Sequence, residues 1–202
     1  MKLIYSKGAC SLAPHIVLCE LGIPHELVAR DPKAPEFLKL NPLGAVPTLV
    51  MNDEHPLTET AAILRYLGDM KPEAKMVPAS GTLARYRLDE TLNFIATEIH
   101  KSLGLFFRLP KITSDEKVQL ELRDYFMQGL QTRFDILAQR LKNSTYLFGD
   151  QFSVADAYLF TTLSWTGILK IDLANWPTLS AYLERVRARP GVQKAMKAEG
   201  LI

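Results

Sequence analysis

The pattern of apolar residues changes near residue 78, and this change divides the chain into two kinds of structure. Before it, short segments alternate in the order β-α-β-α-β-β-α. The predicted strands are 3–5, 25–30, 48–51 and 57–58, the predicted helices are 11–21, 35–40 and 59–68, and a turn at Asn52 and Asp53 joins the last two strands. This order predicts a four-stranded mixed sheet with helices on its faces.

After residue 78 the pattern becomes long and helical. The predicted helices are 82–109, 114–142, 153–166, 177–189 and 190–197. Ser153 and Asp156 frame a capping box, with Asp in place of the usual Glu, and Pro177 and Pro190 each suit a first helical turn. We therefore expect an α/β domain over residues 1–77, a linker over 78–83 and an all-helical domain over 84–202.

Composition and charge narrow the classes of partner. The 202 residues carry a formal net charge of +2 with no basic block, which argues against nucleic acid. The N-terminus lacks the apolar segment of a signal peptide, and no apolar run is long enough to span a bilayer. Two cysteines form no disulfide framework, so we expect a soluble cytoplasmic protein. The four histidines are scattered without ligand spacing, which predicts no metal site.

Cys10 is placed between the first predicted strand and the first predicted helix. There the backbone N–H groups and the positive end of the helix dipole favour the thiolate, which is the reactive form of cysteine. The alternative is that Cys10 is a small buried apolar residue, as free cysteines often are. The small neighbours Gly8, Ala9 and Ser11 favour an accessible sulfur. Cys19 lies among apolar residues of the same helix and is predicted to belong to the core.

Two further segments of the α/β part carry functional signals. The Val46–Pro47 bond is an X-Pro bond, so it is either cis, with Val46 free to pair with an extended peptide, or an ordinary trans bond at a strand start. Glu59 and Thr60 open a helix, where such residues either cap the helix or, with the backbone N–H groups, bind a carboxylate.

The predicted helix 82–109 carries two stripes of residues. Its apolar stripe consists of Leu88, Leu92, Ile95, Ile99 and Leu103, and predicts a core face. Its polar stripe consists of Asn93, Thr97, His100 and Lys101. The polar stripe is either a solvated helix face or a surface that holds an anionic ligand.

Taken in order along the chain, these segments resemble the cytosolic glutathione transferases. The matching segments are Tyr5, Cys10-Ser11, 41–47 (NPLGAVP), 57–60 (LTET) and 153–156 (SVAD). The segments 8–13 (GACSLA) and 93–101 (NFIATEIHK) are similar to the bacterial beta class in particular. The resemblance covers essentially the whole chain.

The resemblance implies a thioredoxin-like N-terminal domain, an all-helical C-terminal domain and a homodimer with glutathione as co-substrate. In that class the thiol at the position of Cys10 lies beside glutathione and forms a mixed disulfide with it. The implied binding residues are Cys10, Val46 and cis Pro47 at the cysteinyl part, Glu59 and Thr60 at the γ-glutamyl end, Lys33 at the glycyl carboxylate, and Asn93, Thr97, Glu98, His100 and Lys101 on the bordering helix. The loop 31–35 is shorter than is usual in the class, and Thr60 stands where the family more often has Ser.

Three functions follow as hypotheses. The first is conjugation of glutathione to a small hydrophobic electrophile, and its expected catalytic residues are Cys10, Ser11, His100 and Tyr5. The candidate donors to the sulfur are the Cys10 and Ser11 backbone N–H groups, the Ser11 hydroxyl, and His100 with Lys101. Tyr5 either assists the sulfur or packs beneath the first helix. Phe107, Tyr158 and Trp165 either line the electrophile pocket or belong to the core.

The second hypothesis is thiol–disulfide exchange through Cys10 alone, since residue 13 is Ala and the motif lacks a second thiol. The third is a ligand-binding protein that keeps the fold without the chemistry.

Overall fold

The computed structural model describes residues 1–51 and 56–202. The predicted turn at Asn52 and Asp53 therefore lies outside the described residues. Within the described residues, no helix is long and apolar enough to cross a membrane.

The N-terminal part contains the predicted mixed sheet. The strands are β1 Lys2–Tyr5, β2 Glu26–Ala29, β3 Thr48–Val50 and β4 Leu57–Thr58. They lie in the order β2-β1-β3-β4, with β1 parallel to β2 and antiparallel to β3, and β3 antiparallel to β4. Leu3 pairs with Leu27 on one side and with Leu49 on the other. The predicted sheet topology is confirmed.

The helices of this part are α1 Leu12–Glu20, α2 Pro35–Leu40 and α3 Thr60–Asp69. The bounds of α2 are those predicted, and each end of α1 and α3 differs from the prediction by one residue. Helix α1 is buried from Leu12 to Leu18, because it packs against α3 on one side and against two helices of the C-terminal part on others. An all-round apolar sequence is what such a central helix requires.

The remaining chain is helical after a short 3₁₀ turn at Pro72–Ala74. Its helices are α4 Leu83–Phe94, α5 Lys101–Ile112, α6 Glu116–Leu141, α7 Val154–Ile168, α8 Pro177–Arg187 and α9 Pro190–Ala198. Helix α7 is buried along most of its length and contacts α1, while α9 makes the most extensive helix contact with α1. The all-helical prediction for this part is confirmed, whereas the boundaries at 77 and 84 stay a prediction.

The prediction of one regular α-helix over 82–109 is wrong in two respects. A π-helical segment, Ile95–His100, joins α4 to α5, and the helix continues through Pro110 to Ile112. The predicted polar stripe crosses this π-helical segment, and its members differ in exposure: Asn93 and Thr97 are exposed, and His100 is half-buried. The predicted apolar stripe is fully buried as expected.

The capping box at the start of α7 is confirmed and belongs to a larger network. The Asp156 carboxylate accepts hydrogen bonds from the Ser153 backbone N–H at 2.9 Å and the Ser153 hydroxyl at 2.7 Å. It also accepts from the Leu147 N–H at 2.9 Å and the Tyr182 hydroxyl at 3.1 Å. Asp156 thus joins the start of α7 to the preceding loop and to α8.

Candidate active site

Cys10 follows a tight turn between β1 and α1. Gly8 has a φ of 66°, a left-handed conformation that glycine adopts readily. The buried Ser11 side chain closes the turn, since its Oγ accepts from the Ser6 N–H at 3.1 Å and donates to the Ser6 carbonyl at 3.2 Å. In this structure the Ser11 hydroxyl proton is engaged with Ser6, and its donation to a bound sulfur stays a prediction.

The Cys10 thiol lies against the segment before Pro47. Its Sγ donates to the Val46 carbonyl oxygen at 3.1 Å, and the Val46–Pro47 peptide bond is cis, as the resemblance implies. The alternative of a trans bond is wrong. Through this hydrogen bond the Cys10 sulfur joins the start of the first helix to the segment that precedes β3.

The start of the helix favours the Cys10 thiolate, as predicted, but this effect does not decide the protonation of the sulfur. Burial raises the pKa of its thiol to about 11, and the nearby Glu59 carboxylate adds to the rise. The Thr60 hydroxyl and the Cys10 and Ser11 backbone N–H groups lower the pKa, but burial outweighs them. Cys10 is consequently a neutral thiol at neutral pH.

His100 lies in an aromatic cluster. Its Nδ1 shares a hydrogen bond of 2.7 Å with the Tyr158 hydroxyl, and its ring meets that of Trp165 edge to face at 5.0 Å between centroids. Burial first, and then Lys101, lower the pKa of His100 to about 4. Burial also raises the pKa of Tyr158, with smaller contributions from Cys10 and Glu59. Both groups are therefore neutral near pH 7, so His100 acts there only as a neutral imidazole.

The three predicted pocket aromatics share this cluster but differ in exposure. Phe107 meets Trp165 edge to face at 5.8 Å and is 44% exposed. Tyr158 and Trp165 are only 2% and 6% exposed. Phe107 therefore offers an apolar surface, while the other two rings form the buried support behind it.

Glu59 and Thr60 stand at the start of α3 beside Cys10. Glu59 has a φ of 69°, which is unusual for a residue other than glycine and is found most often at functional sites. Its side chain is exposed, whereas Thr60 is 5% exposed. The Thr60 hydroxyl lowers the pKa of both Cys10 and Tyr158, so it lies near the thiol and near the aromatic cluster.

The other predicted residues do not contact the thiol. Lys33 is exposed in the turn before α2, where its backbone N–H donates to Asp31 at 2.9 Å. The Glu98 carboxylate is paired with Arg133 of α6 at 2.6 Å. Asn93, Thr97 and Lys101 are exposed, and Tyr5 ends β1 half-buried. Their roles toward a ligand stay predictions.

Two contacts that sequence reasoning missed hold the active-site turn. The Trp165 Nε1–H donates to the Gly8 carbonyl at 2.8 Å, and the Gly8 N–H donates to Glu199 Oε2 at 2.9 Å. Glu199 is only 4% exposed, and its other oxygen accepts from His15 Nδ1 at 2.9 Å. No local signal in the sequence predicts these contacts, because the partners are 157 and 191 positions apart.

The prediction that the histidines are scattered is wrong for two of them. His15 and Cys19 lie one turn apart on α1, and the chain after α1 returns His25 to the same place. One donor atom from each of these three residues lies within 4.8 Å of the others. Cys19, predicted to belong to the core, is half-buried at this position.

The fold and the site together define a class of protein: a thioredoxin-like domain with a cysteine at its first helix, followed by an all-helical domain. Residues 8–70 match the family model described as the glutathione S-transferase N-terminal domain, and residues 96–190 match that of the C-terminal domain. The chain belongs to the glutathione S-transferase family. The predicted family, fold class and type of enzyme are confirmed at this level.

Individual relatives agree with this assignment over their full length. The chain is 37% identical to glutathione S-transferase GstA of Escherichia coli O157:H7, with 100% of both chains covered. It is 40% identical to the structure of a bacterial beta class glutathione S-transferase from Sphingomonas chungbukensis, with a TM-score of 0.88 and 100% of both chains covered. It is 38% identical to a sphingomonad glutathione S-transferase complexed with glutathione, with the same TM-score and coverage. The resemblance to the beta class is thus confirmed.

Proposed function

We propose that this protein joins the sulfur of glutathione to a small apolar electrophile, with Cys10 beside the reacting sulfur. The observation that carries the proposal is the neutral Cys10 thiol at the start of α1. It is hydrogen-bonded to the carbonyl oxygen of Val46, which precedes cis Pro47, and Thr60 lies beside it. The similar sphingomonad structure, which is complexed with glutathione, supports the choice of co-substrate.

Glutathione would lie across the sheet end of the N-terminal domain. The Val46 backbone would pair with its cysteinyl part, and the exposed Glu59 carboxylate would accept from the γ-glutamyl ammonium. The N–H groups at the start of α3, including that of Thr60, suit the γ-glutamyl carboxylate. Lys33 would approach the glycyl carboxylate. The exposed residues Asn93, Thr97 and Lys101 would border the ligand from the helical part. Glu98 could join them only after its ion pair with Arg133 breaks.

The raised pKa of Cys10 indicates which of the two thiols in this site, Cys10 or glutathione, keeps its proton. An ordinary cysteine thiol has a pKa of about 8.5, so bound glutathione ionises before Cys10 does. The Cys10 S–H would then turn from the Val46 carbonyl to the glutathione thiolate, and together with the Ser11 N–H it would lower the pKa of that thiolate. The thiolate attacks the electrophilic carbon, the new C–S bond forms, and the leaving group departs with its electron pair. Phe107 offers the apolar surface for the electrophile.

The test is conjugation of glutathione to an activated aryl chloride, followed by absorbance across pH 6–9. We expect turnover by the wild-type protein and roughly tenfold lower kcat/KM for Cys10→Ala, which is the effect of losing one hydrogen bond to a charged group. The apparent pKa of the bound thiol should rise by about one unit in that variant. Cys19→Ser, which removes the other thiol, is the matched control and should leave the rate unchanged. Absence of turnover across a panel of electrophiles would contradict the proposal and favour a non-catalytic ligand-binding role.

A second candidate is glutathione-dependent disulfide reduction through Cys10, favoured by the placement of its sulfur at the start of α1 without a neighbouring second cysteine. Cys10 first loses its proton to solvent, and its thiolate attacks the glutathione sulfur of a mixed disulfide. The Cys10–glutathione disulfide forms, and the substrate thiolate leaves and takes up a proton. A second glutathione thiolate then attacks the glutathione sulfur of this adduct. Glutathione disulfide forms, and the Cys10 thiolate is released. Intact mass spectrometry with glutathione disulfide should show an adduct on wild type and none on Cys10→Ala. Full reductase activity in Cys10→Ala would exclude this function.

The family also leads us to propose a homodimer in the cytoplasm. Native mass spectrometry of the full chain should give twice the mass of the 22.7 kDa protomer. A monomer at micromolar concentration would contradict this expectation.

A further inference from the structure

Three side chains with metal-binding atoms meet at the C-terminal half of α1. His15 and Cys19 are four residues apart and so share one face of the helix, and His25 follows the turn that ends α1. One donor atom from each lies within 4.8 Å of the others, and the two imidazole rings meet edge to face with their centroids 5.3 Å apart. Helix geometry and the returning chain therefore bring two imidazoles and a thiol together.

Hydrogen bonds already orient both imidazole rings. His15 Nδ1 lies 2.9 Å from Glu199 Oε1, and His25 Nδ1 lies 2.8 Å from the Ile23 carbonyl oxygen. A carbonyl oxygen and a carboxylate are acceptors, so Nδ1 of each ring is the donor in these bonds and Nε2 is the nitrogen left to bind a metal. Metal-binding histidines have this arrangement, in which the second nitrogen donates to a carboxylate or a carbonyl.

The three residues line an open surface pocket of about 460 Å³. Cys19 is a free cysteine that packs against the core and lines this pocket. Glu20 and Glu199 act on this sulfur as negative charges, and Lys194 of α9, which also lines the pocket, acts as a positive one. The Glu199 carboxylate favours a bound cation, whereas Glu20 is already paired with Arg189 at 2.7 Å and Lys194 limits the affinity.

We propose that His15, Cys19 and His25 bind a divalent transition-metal ion, with Zn²⁺ as the best fit. Two imidazoles and one thiolate suit zinc, whereas magnesium and calcium prefer oxygen ligands. In tetrahedral zinc sites the donor atoms lie roughly 3.3–3.6 Å apart, so the side chains need to close by roughly 1 Å. Cys19 loses its proton on binding, and the pocket leaves room for water as the fourth ligand.

The test uses full-length protein without a polyhistidine tag, kept reduced by a phosphine because dithiols bind zinc. Co²⁺ is the spectroscopic probe, since tetrahedral Co²⁺ absorbs in the visible range and a cobalt–thiolate bond adds a near-ultraviolet band. We expect both signals in wild type and in Cys10→Ser, which removes the thiol outside the cluster. Cys19→Ser should lose the thiolate band, and His25→Asn should lose most of the binding.

Thermal unfolding with Zn²⁺ supplies an independent measurement. Zn²⁺ at a hundredfold excess over its Kd should raise the Tm of wild type by roughly 5 °C. Cys19→Ser and His25→Asn should lose this shift while keeping the wild-type Tm without metal, which separates loss of binding from loss of folding. A wild-type protein without the thiolate band, or a band that persists in Cys19→Ser, would overturn the proposal and leave His15 as a core histidine paired with Glu199.

Discussion

At the residue scale, two opposing effects act on the sulfur of Cys10. Its place at the start of α1 gives it backbone N–H groups that favour the thiolate, and its burial favours the thiol. The position of Cys10 could be predicted from the strand, turn and helix pattern around it. Its protonation could not, because burial depends on the segment around Val46 and on α7, which are distant in sequence.

We predict that the reactivity of Cys10 rises steeply with pH. With a pKa of about 11, its thiolate fraction should increase about tenfold per pH unit between pH 7 and 10. The measurement is the rate of iodoacetamide labelling, resolved by mass spectrometry of the peptide that contains Cys10. Thr60→Val removes a hydroxyl that lowers this pKa, so it should slow the labelling further. A rate that levels off below pH 9 would show that the thiol is not buried as described.

His100 should make the protein sensitive to acid. Its pKa is about 4 in the folded protein and 6.5 in an unfolded chain, so the unfolded state takes up a proton first as pH falls. The stability present above pH 6.5 is lost as pH approaches 4, by up to about 3 kcal/mol. Urea unfolding at pH 7 and pH 4.5 should show a smaller loss for His100→Asn than for wild type. Equal losses in the two proteins would contradict the assignment, and an NMR titration of the wild-type imidazole should give a midpoint near 4.

At the scale of elements, helix positions were predictable wherever the signal is local. The buried stripe from Leu88 to Leu103 and the cap at Ser153 follow from spacing within a few residues. The π-segment Ile95–His100 was not predictable, because its sequence contains no proline or glycine that would mark a departure from the α-helix. Within this segment His100 shares a hydrogen bond with Tyr158, and Thr97 is exposed.

Two helix-capping aspartates should differ strongly in their contribution to stability. Asp156 is buried and accepts hydrogen bonds from Ser153, Leu147 and Tyr182, so Asp156→Ala should cost about 3 kcal/mol or more by leaving those donors unpaired. Asp115 caps the exposed start of α6, and Asp115→Ala should cost about 1 kcal/mol. Urea unfolding of both variants gives the comparison. Similar losses would mean that the buried network around Asp156 contributes little beyond its cap.

At the scale of the whole molecule, the active-site turn depends on residues from the far end of the chain. Glu199 holds Gly8 with one carboxylate oxygen and His15 with the other, and Trp165 holds the Gly8 carbonyl. The two-part architecture could be predicted from the spacing of apolar residues alone. Short alternating segments precede residue 78, and long helical segments follow it. These cross-connections could not, because a buried Glu in a polar C-terminal segment has no distinguishing local signal.

We predict that Glu199→Gln weakens both stability and conjugation. An amide nitrogen cannot accept from Gly8 or from His15, so one buried donor loses its partner at a cost of about 1–3 kcal/mol. The loosened turn should also reduce kcat/KM, because the turn positions Cys10. Glu184→Gln is the matched control: its carboxylate is exposed and pairs weakly with Arg187 at 3.7 Å, so little change is expected. Wild-type Tm and kcat/KM in Glu199→Gln would contradict this role.

The pairing of Gly8 with Glu199 also sets an order of events during synthesis. The two residues are 191 positions apart, so a ribosome adding about 5–20 residues per second needs roughly 10–40 s to travel from one to the other. Throughout that interval the turn before Cys10 has been synthesised, but its hydrogen bond to Glu199 cannot yet form. A chaperone or an oxidant that encounters the nascent chain would find the Cys10 thiol less fixed in position than in the folded enzyme.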